Sequence, residues 1–203
     1  MLDIFTKPEF LAGMIGVVLG ALIPITYEAI KTYLAFRKRK TYTGIQLITA
    51  LPKFVDDCAN VAIDDGKENG QLVNERHCGQ APEPDLNLDF NHLDWTVLSK
   101  KMMHDILMLP SDLTKCKLYI QECAYREGHD YSDTFVERRL KFSQLGLHAN
   151  KILVGLYREL GLVKKAAVID FDSEETLRRS KENMDEVIQH LRNNKTVIPP
   201  ILK

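Results

Sequence analysis

Two histidines and two aspartates have the types and the order along the chain that a metal site could use. His104 and Asp105 are adjacent, His77 precedes them, and Asp170 follows at a distance. Imidazole nitrogens and carboxylate oxygens are common ligands of catalytic metal ions. A second adjacent His-Asp pair begins at His129, so the dipeptide by itself is a weak signal. Ordinary surface or boundary positions are the competing interpretation.

This order of residues resembles the metal-dependent phosphohydrolases of the HD superfamily. The resemblance implies an all-helical fold and a metal site built from the same four side chains, His77, His104, Asp105 and Asp170. It covers those residues alone, and Leu107-Met108 stands where the family has Gly-Lys after the pair. A membrane-tethered phosphohydrolase of this kind is therefore kept as the alternative function.

The cysteines do not form a zinc or redox pattern. Structural zinc sites usually take pairs of ligands two to four residues apart, whereas His77 and Cys78 are adjacent and Cys58 is distant. Cys116 and Cys123 lie seven residues apart on a predicted apolar seam, where free cysteine packs as a small hydrophobe. Phosphate loops, nucleophile elbows and kinase signatures are also missing from the sequence. We therefore predict no cofactor.

The element marked most clearly is an uncharged run near the N-terminus. Phe10–Tyr27 reads FLAGMIGVVLGALIPITY, eighteen residues without a charge. As a helix it covers about 27 Å, close to the roughly 30 Å hydrocarbon core of a bilayer. A secretory signal carries its cations before the run, and a soluble helix is seldom apolar on every side. The run predicts a transmembrane anchor, which forms an N-terminal unit over residues 1–40.

Four consecutive cations follow the run, at Arg37, Lys38, Arg39 and Lys40. Positive residues beside a span are retained on the cytoplasmic side. The N-terminus is therefore expected outside and residues 41–203 in the cytoplasm, with the inner membrane as the site in a bacterium. The same cluster is expected to contact anionic lipid headgroups.

Small residues recur at every fourth position of the run, at Ala12, Gly16 and Gly20. Such a stripe lets a second transmembrane helix approach closely, although glycine and alanine are common in membrane helices generally. Pro24 follows one turn later and predicts a kink or an unpaired carbonyl. The stripe is a candidate helix-packing surface.

The charge balance does not favour a nucleic-acid partner. The chain has a net charge of −1, while residues 1–40 contain six basic and three acidic residues. Residues 41–203 are therefore acidic overall, whereas nucleic-acid binding is expected of surplus clustered cations. The partners that we predict are the lipid bilayer and either another protein or a second copy of the chain.

Residues 41–203 show helical periodicity and almost no strand signal. Pro52 predicts the end or a bend of a helix near Ala50, and Pro110 predicts the end of another. The longest predicted helix runs from Ser132 to Leu160. Its apolar side chains repeat every seven residues, as in coiled-coil packing within a bundle or against another subunit, at Phe135, Phe142, Ala149 and Leu156, with Leu145 and Ile152 at the complementary positions.

The stretch 64–91 is polar, contains several glycines and prolines, and predicts a long loop that is either mobile or functional. Arg138 and Arg139 are expected on a solvated helix face, and Asp172 is expected to cap the last helix.

The predicted fold class is all-α, with a single transmembrane helix followed by a cytosolic bundle of about four to five helices. The predicted function is protein–protein interaction or self-association at a membrane, and an enzyme is the less favoured class.

Overall fold

The described part of the protein consists of four α-helices and one short 3-10 turn. The computed structural model describes residues 8–67, 71, 78–88, 92–127, 132–163 and 172–195. Within them lie α1 (Pro8–Ile63), the 3-10 turn (Trp95–Val97), α2 (Lys100–Glu127), α3 (Ser132–Leu160) and α4 (Ser173–Lys195). The described residues contain no β-strand, so the predicted all-α class is confirmed for this part of the chain.

Two prolines that were expected to interrupt helices lie inside continuous ones. α1 runs through Pro52 and α2 runs through Pro110, so the predicted end of a helix at Pro110 is wrong. An internal proline costs a helix about 3 kcal/mol, whereas burying one large apolar side chain contributes roughly 1.5–3 kcal/mol. Several buried side chains flank each proline, namely Leu51, Phe54 and Val55 in α1 and Ile106, Leu109 and Leu113 in α2. Packing on both sides therefore outweighs the local cost.

α1 is 56 residues long and has two parts with different surroundings. The described residues from Gly16 to Arg39 are all exposed, and burial begins at Thr43, which is 2% exposed. The boundary predicted at residue 40 thus falls inside one helix. The second part of α1 serves as the first helix of the bundle, which therefore contains four helices.

α3 is the central helix of the bundle, because it packs against each of the other three. Near its end Leu160 lies against Gly44 of α1, and near its start Phe135 lies against Gly66, just beyond α1. Residue numbers therefore rise along α1 in the direction in which they fall along α3. The two helices are antiparallel, and the end of α3 lies beside the part of α1 where burial begins.

α2 also runs antiparallel to α3. The Met102 side chain, near the start of α2, lies against Gly155. Further along α2, the Tyr119 ring receives the Lys141 ammonium at 4.7 Å from its centroid. The start of α2 and the end of α3 consequently lie at the same end of the bundle.

α4 packs along the first half of α3, again in the antiparallel direction. Asn150 donates a 2.7 Å hydrogen bond to Glu174, and Leu177 lies against Gly146. Asp172 accepts hydrogen bonds from two backbone N–H groups of the first turn, at 3.0 and 3.3 Å. The predicted helix cap at Asp172 is therefore confirmed.

The seven-residue repeat of α3 is buried inside the chain. Its side chains share one core with those of α1, α2 and α4, and the buried members of the repeat are Phe142, Leu145, Ala149, Ile152 and Leu156. Of the two packings that the repeat predicts, the structure shows the one within a bundle. A second copy could not reach this surface without unfolding the first.

A buried ion pair ties the segment after α1 to α3. Asp64, of which 3% of the side chain is exposed, lies 2.8 Å from the Arg138 guanidinium, of which 9% is exposed. Asp64 also accepts hydrogen bonds from the N–H groups of Gly66, Gln80 and Ala81 at 2.8–2.9 Å. These contacts satisfy the carboxylate and fix residues 78–81, part of the predicted loop, against the bundle.

Arg138 is therefore not the solvated surface residue that the sequence predicted. Its guanidinium also donates to the Ala81 carbonyl oxygen at 2.9 Å, so both of its terminal nitrogens are used. Arg139 also departs from the predicted solvated position, because its Nε donates to the Ala62 carbonyl oxygen at 2.8 Å. Burial by itself would raise the pKa of Asp64, but the hydrogen bonds from Ala81, Arg138 and Gly66 hold it below its usual value.

Replacing Arg138 should destabilise the protein strongly. Arg138→Ala leaves the buried Asp64 carboxylate without its counter-charge, and removing one partner of such a pair costs about 3–5 kcal/mol. Urea unfolding of the full chain in detergent, followed by circular dichroism at neutral pH, measures the loss. Arg178→Ala is the matched control. Arg178 is exposed and pairs with Glu174 and Glu175, whose side chains are 41% and 49% exposed, so the substitution should cost at most about 1 kcal/mol. Equal losses in both variants would contradict this account.

The contribution of Asp64 should disappear in acid. Because its pKa is lower in the folded state, its stabilisation is complete above the unfolded-state value of about 3.9 and is lost as the pH falls through the folded-state value. The difference in unfolding free energy between wild type and Arg138→Ala should therefore shrink below about pH 4. A difference that is constant with pH would show that the ion pair is not its cause.

Candidate membrane-anchor site

The first part of α1 exposes apolar side chains on every side from Gly16 to Tyr27. Each described residue from Gly16 to Arg39 is exposed, and the large side chains among them include Val17 at 75%, Ile23 at 65% and Ile30 at 60%. Soluble proteins rarely leave apolar patches of more than a few hundred square ångström uncovered. α1 is the one described helix that is long and apolar enough to cross a membrane, and none of its apolar window is buried.

The small-residue stripe lies on this exposed part of α1. A side chain placed at Gly16 or at Gly20 would meet nothing within 4 Å, so no described part of the chain covers either residue. Ala12 lies in α1, but its side chain is outside the described set. Helix packing through Ala12, Gly16 and Gly20 stays a prediction, with its two glycines open to a partner.

The basic cluster is divided between solvent and the bundle. Arg37 and Lys38 are exposed, whereas Arg39 lies 3.4 Å from Asp94. Lys40 lies 3.1 Å from Glu159 near the end of α3, with 27% of the Lys40 side chain exposed. The sequence predicted one interfacial role for all four cations. It could not show that Asp94 and Glu159 lie close enough in the fold to pair with two of them.

Glu159 joins three elements at this junction. Besides Lys40, it accepts hydrogen bonds from the backbone N–H and the hydroxyl of Ser99, both at 3.0 Å. Ser99 directly precedes α2, and its hydroxyl accepts a 3.3 Å hydrogen bond from the Met102 N–H. Burial alone would raise the pKa of Glu159, but the contacts with Lys40 and Ser99 hold it below its usual value. One carboxylate thus fixes the ends of α2 and α3 against α1.

Gly44 allows the close approach of α1 and α3 at the same junction. A Cβ at this position would clash with Cδ1 of Leu160. The α3 helix ends immediately after Leu160, because Gly161 adopts a φ of +66°, a conformation that favours glycine. The end of α3 therefore contacts α1 at Gly44, five residues beyond Arg39, where the exposed part of α1 ends.

The proposed metal ligands are not assembled in the described part of the chain. His104 is exposed on α2, with its Nδ1 3.5 Å from Oδ1 of Asp105. His77 and Asp170 lie outside the described residues. Among the residues that are described, no group of three His, Cys, Asp or Glu side chains could hold a metal ion. The phosphohydrolase alternative stays a prediction without structural support.

Of the two cysteines predicted to pack on an apolar seam, Cys116 is buried and Cys123 is half-buried. Cys58 is fully buried, and burial raises the pKa of its thiol far above the usual range. Burial likewise raises the pKa of Cys116 to about 11. Both thiols are therefore protonated at neutral pH and pack as apolar groups, whereas Cys78 is exposed.

Removing the Glu159 carboxylate should loosen this junction. Glu159→Ala breaks the Lys40 ion pair and two hydrogen bonds from Ser99, which together should lower the free energy of unfolding by about 1–3 kcal/mol. Urea unfolding in detergent measures the change. Glu122→Ala removes an exposed pair with Arg126 and serves as the control, with a cost of at most about 0.5 kcal/mol. A Glu159 variant as stable as this control would contradict the structural role.

No protein-family model, curated protein or solved structure matches this chain. The function of the chain is therefore inferred from the burial, contacts and charges of its own residues.

Proposed function

We propose that this chain is a single-pass membrane protein whose helical domain works by binding another protein or a second copy of itself. The observation that carries the proposal is the first part of α1, where all described residues from Gly16 to Arg39 are exposed. A bilayer is the environment in which this apolar surface is favourable, because it removes the surface from water. The cations from Arg37 to Lys40 support a cytoplasmic position for the domain.

Two surfaces support a role in binding. The first is the open stripe on α1, where Gly16 and Gly20 have no neighbour within the described chain. The second lies along the outer side of α2, where Leu107, Leu118 and Tyr125 are 43%, 60% and 91% exposed. These residues are 11 and 7 apart, close to whole numbers of helical turns, so they share one face. A partner helix lying along this face would contact all three side chains, so we include it as a second candidate surface.

Charged residues in the proposed span should release the protein from the membrane. Leu19→Arg with Ile23→Arg places two cations in the hydrocarbon core, each at a cost of about 2.5–3.5 kcal/mol. We expect the double variant in the soluble fraction after alkaline extraction, and the wild type in the pellet. Leu107→Arg with Leu118→Arg is the matched control on α2, and it should remain in the pellet. If alkaline extraction also releases the wild-type protein into the soluble fraction, the proposed transmembrane anchor is wrong.

Protease added to one side of the membrane tests the orientation. If the N-terminus is outside, external protease should leave residues 41–203 intact in sealed cells or vesicles, and should digest them after detergent is added. Digestion in the sealed preparation would reverse the proposed topology without affecting the anchor itself.

Larger side chains on the stripe should disrupt association within the membrane. Gly16→Leu with Gly20→Leu prevents the close helix approach that small residues allow. Cross-linking in membranes and sizing with mass spectrometry after mild detergent extraction should show a complex for wild type and a monomer for the double variant. Ala21→Leu, an exposed neighbour off the stripe, should keep the complex. A wild-type monomer without any partner would contradict the proposed function.

A further inference from the structure

The end of the bundle that adjoins the exposed part of α1 has its own charge pattern. Beyond the cluster on α1, three exposed cations lie there, Lys100 and Lys101 at the start of α2 and Arg158 near the end of α3. Two acidic side chains that the structure describes at this end, Asp94 and Glu159, are paired with Arg39 and Lys40. The end is therefore strongly basic, although residues 41–203 as a whole carry an acidic excess.

The contacts of Glu159 place these cations at one level. Its carboxylate joins Lys40 of α1 to Ser99, and Lys100 follows Ser99 directly. Arg158 precedes Glu159 in the last turn of α3. None of the three exposed cations pairs with an acidic side chain in the described part of the chain. Two helices, α2 and α3, thus present unpaired positive charge at the end where Arg37 and Lys38 of α1 are exposed.

Two apolar residues complete this surface. α3 ends in a reversal in which the Leu162 N–H donates to the Tyr157 carbonyl oxygen at 2.8 Å and the Gly161 N–H donates to the Arg158 carbonyl oxygen at 3.1 Å. Leu162 and Val163 then emerge 43% and 87% exposed. Such apolar residues beside cations are typical of surfaces that lie at the membrane interface.

The length of α1 brings this end close to the lipid headgroups. From Lys31, the first cation after the uncharged run, to Lys40 the helix rises about 14 Å. The headgroup region of one leaflet is about 5–8 Å thick, and charges in solution act over a screening length of about 8–10 Å. If α1 spans the bilayer, Lys100 and Lys101 are therefore within electrostatic reach of the phosphate layer.

We propose that Lys100, Lys101, Arg158, Leu162 and Val163 form a membrane-facing surface that binds the anionic headgroups of the bilayer holding α1. This inference depends on the proposed anchor. Its consequence is that the domain rests on an acidic lipid surface and does not stand away from it. The long acidic remainder of the domain is then turned toward the solvent, where like charge repels it from the membrane.

Trp95 provides a native probe of this contact. It is the only tryptophan of the chain and follows Asp94, the partner of Arg39. The full chain is placed in nanodiscs of phosphatidylcholine, with or without phosphatidylglycerol, that contain a lipid with a nitroxide on its headgroup. Phosphatidylglycerol should increase quenching of Trp95 fluorescence, and high salt should reverse the increase.

Charge reversal identifies the residues responsible. Lys100→Glu with Lys101→Glu should abolish the phosphatidylglycerol-dependent increase and weaken lipid contact by roughly tenfold or more. The helix itself should persist, because glutamate is favourable in a first turn. Lys53→Glu with Lys151→Glu has the same total charge at exposed positions further along the bundle, and should keep the increase.

The outcomes separate this inference from the anchor. If the chain does not remain with nanodiscs at all, the proposed anchor fails. If it remains with them but quenching is the same in both lipids, or the two double variants behave alike, the anchor stands and the membrane-facing surface is refuted.

Discussion

The continuity of α1 is the constraint on which the rest of the structure depends. One helix of 56 residues presents an exposed apolar surface in its first part and contributes core side chains such as Leu47, Leu51 and Phe54 in its second. A helix transmits direction over its whole length, because each backbone hydrogen bond fixes the next turn. The direction in which the first part leaves the bundle is therefore set by how the second part packs.

Two ion pairs join the other helices to the packed part of α1, one at each end of that part. Glu159 joins Lys40 to the start of α2 and the end of α3, while Asp64 and Arg138 form an ion pair at the opposite end, just beyond α1. Both carboxylates are satisfied by several donors, which is the condition under which a buried charge is tolerated. The apolar core between them consists of side chains from all four helices, so the ion pairs fix the register of a contact that burial already favours.

Much of this architecture could be predicted from local patterns. The helix from Ser132 to Leu160, the cap at Asp172 and the all-α class all follow from periodicity and capping residues within a few turns. The errors have a common cause. The local effect of Pro110 predicts a helix end, whereas long-range packing keeps α2 continuous there. The charge of Arg138 predicts exposure, whereas its ion-pair partner, Asp64, is 74 residues away and holds it in the interior. An interaction between distant residues leaves no pattern in a short window of sequence.

By itself, the sequence determined the composition of each segment: an uncharged run long enough for a bilayer, four cations after it, and helices with one apolar face. These are properties of neighbouring residues, and hydrophobicity and hydrogen bonding translate them directly into helices. Only the tertiary structure decided that the seven-residue repeat of α3 is covered by its own chain. It also decided that Arg39 and Lys40 bind Asp94 and Glu159, and that the start of α2 and the end of α3 meet beside α1. Which charges are neutralised, and which remain exposed at that end, depends on contacts between residues far apart in the chain.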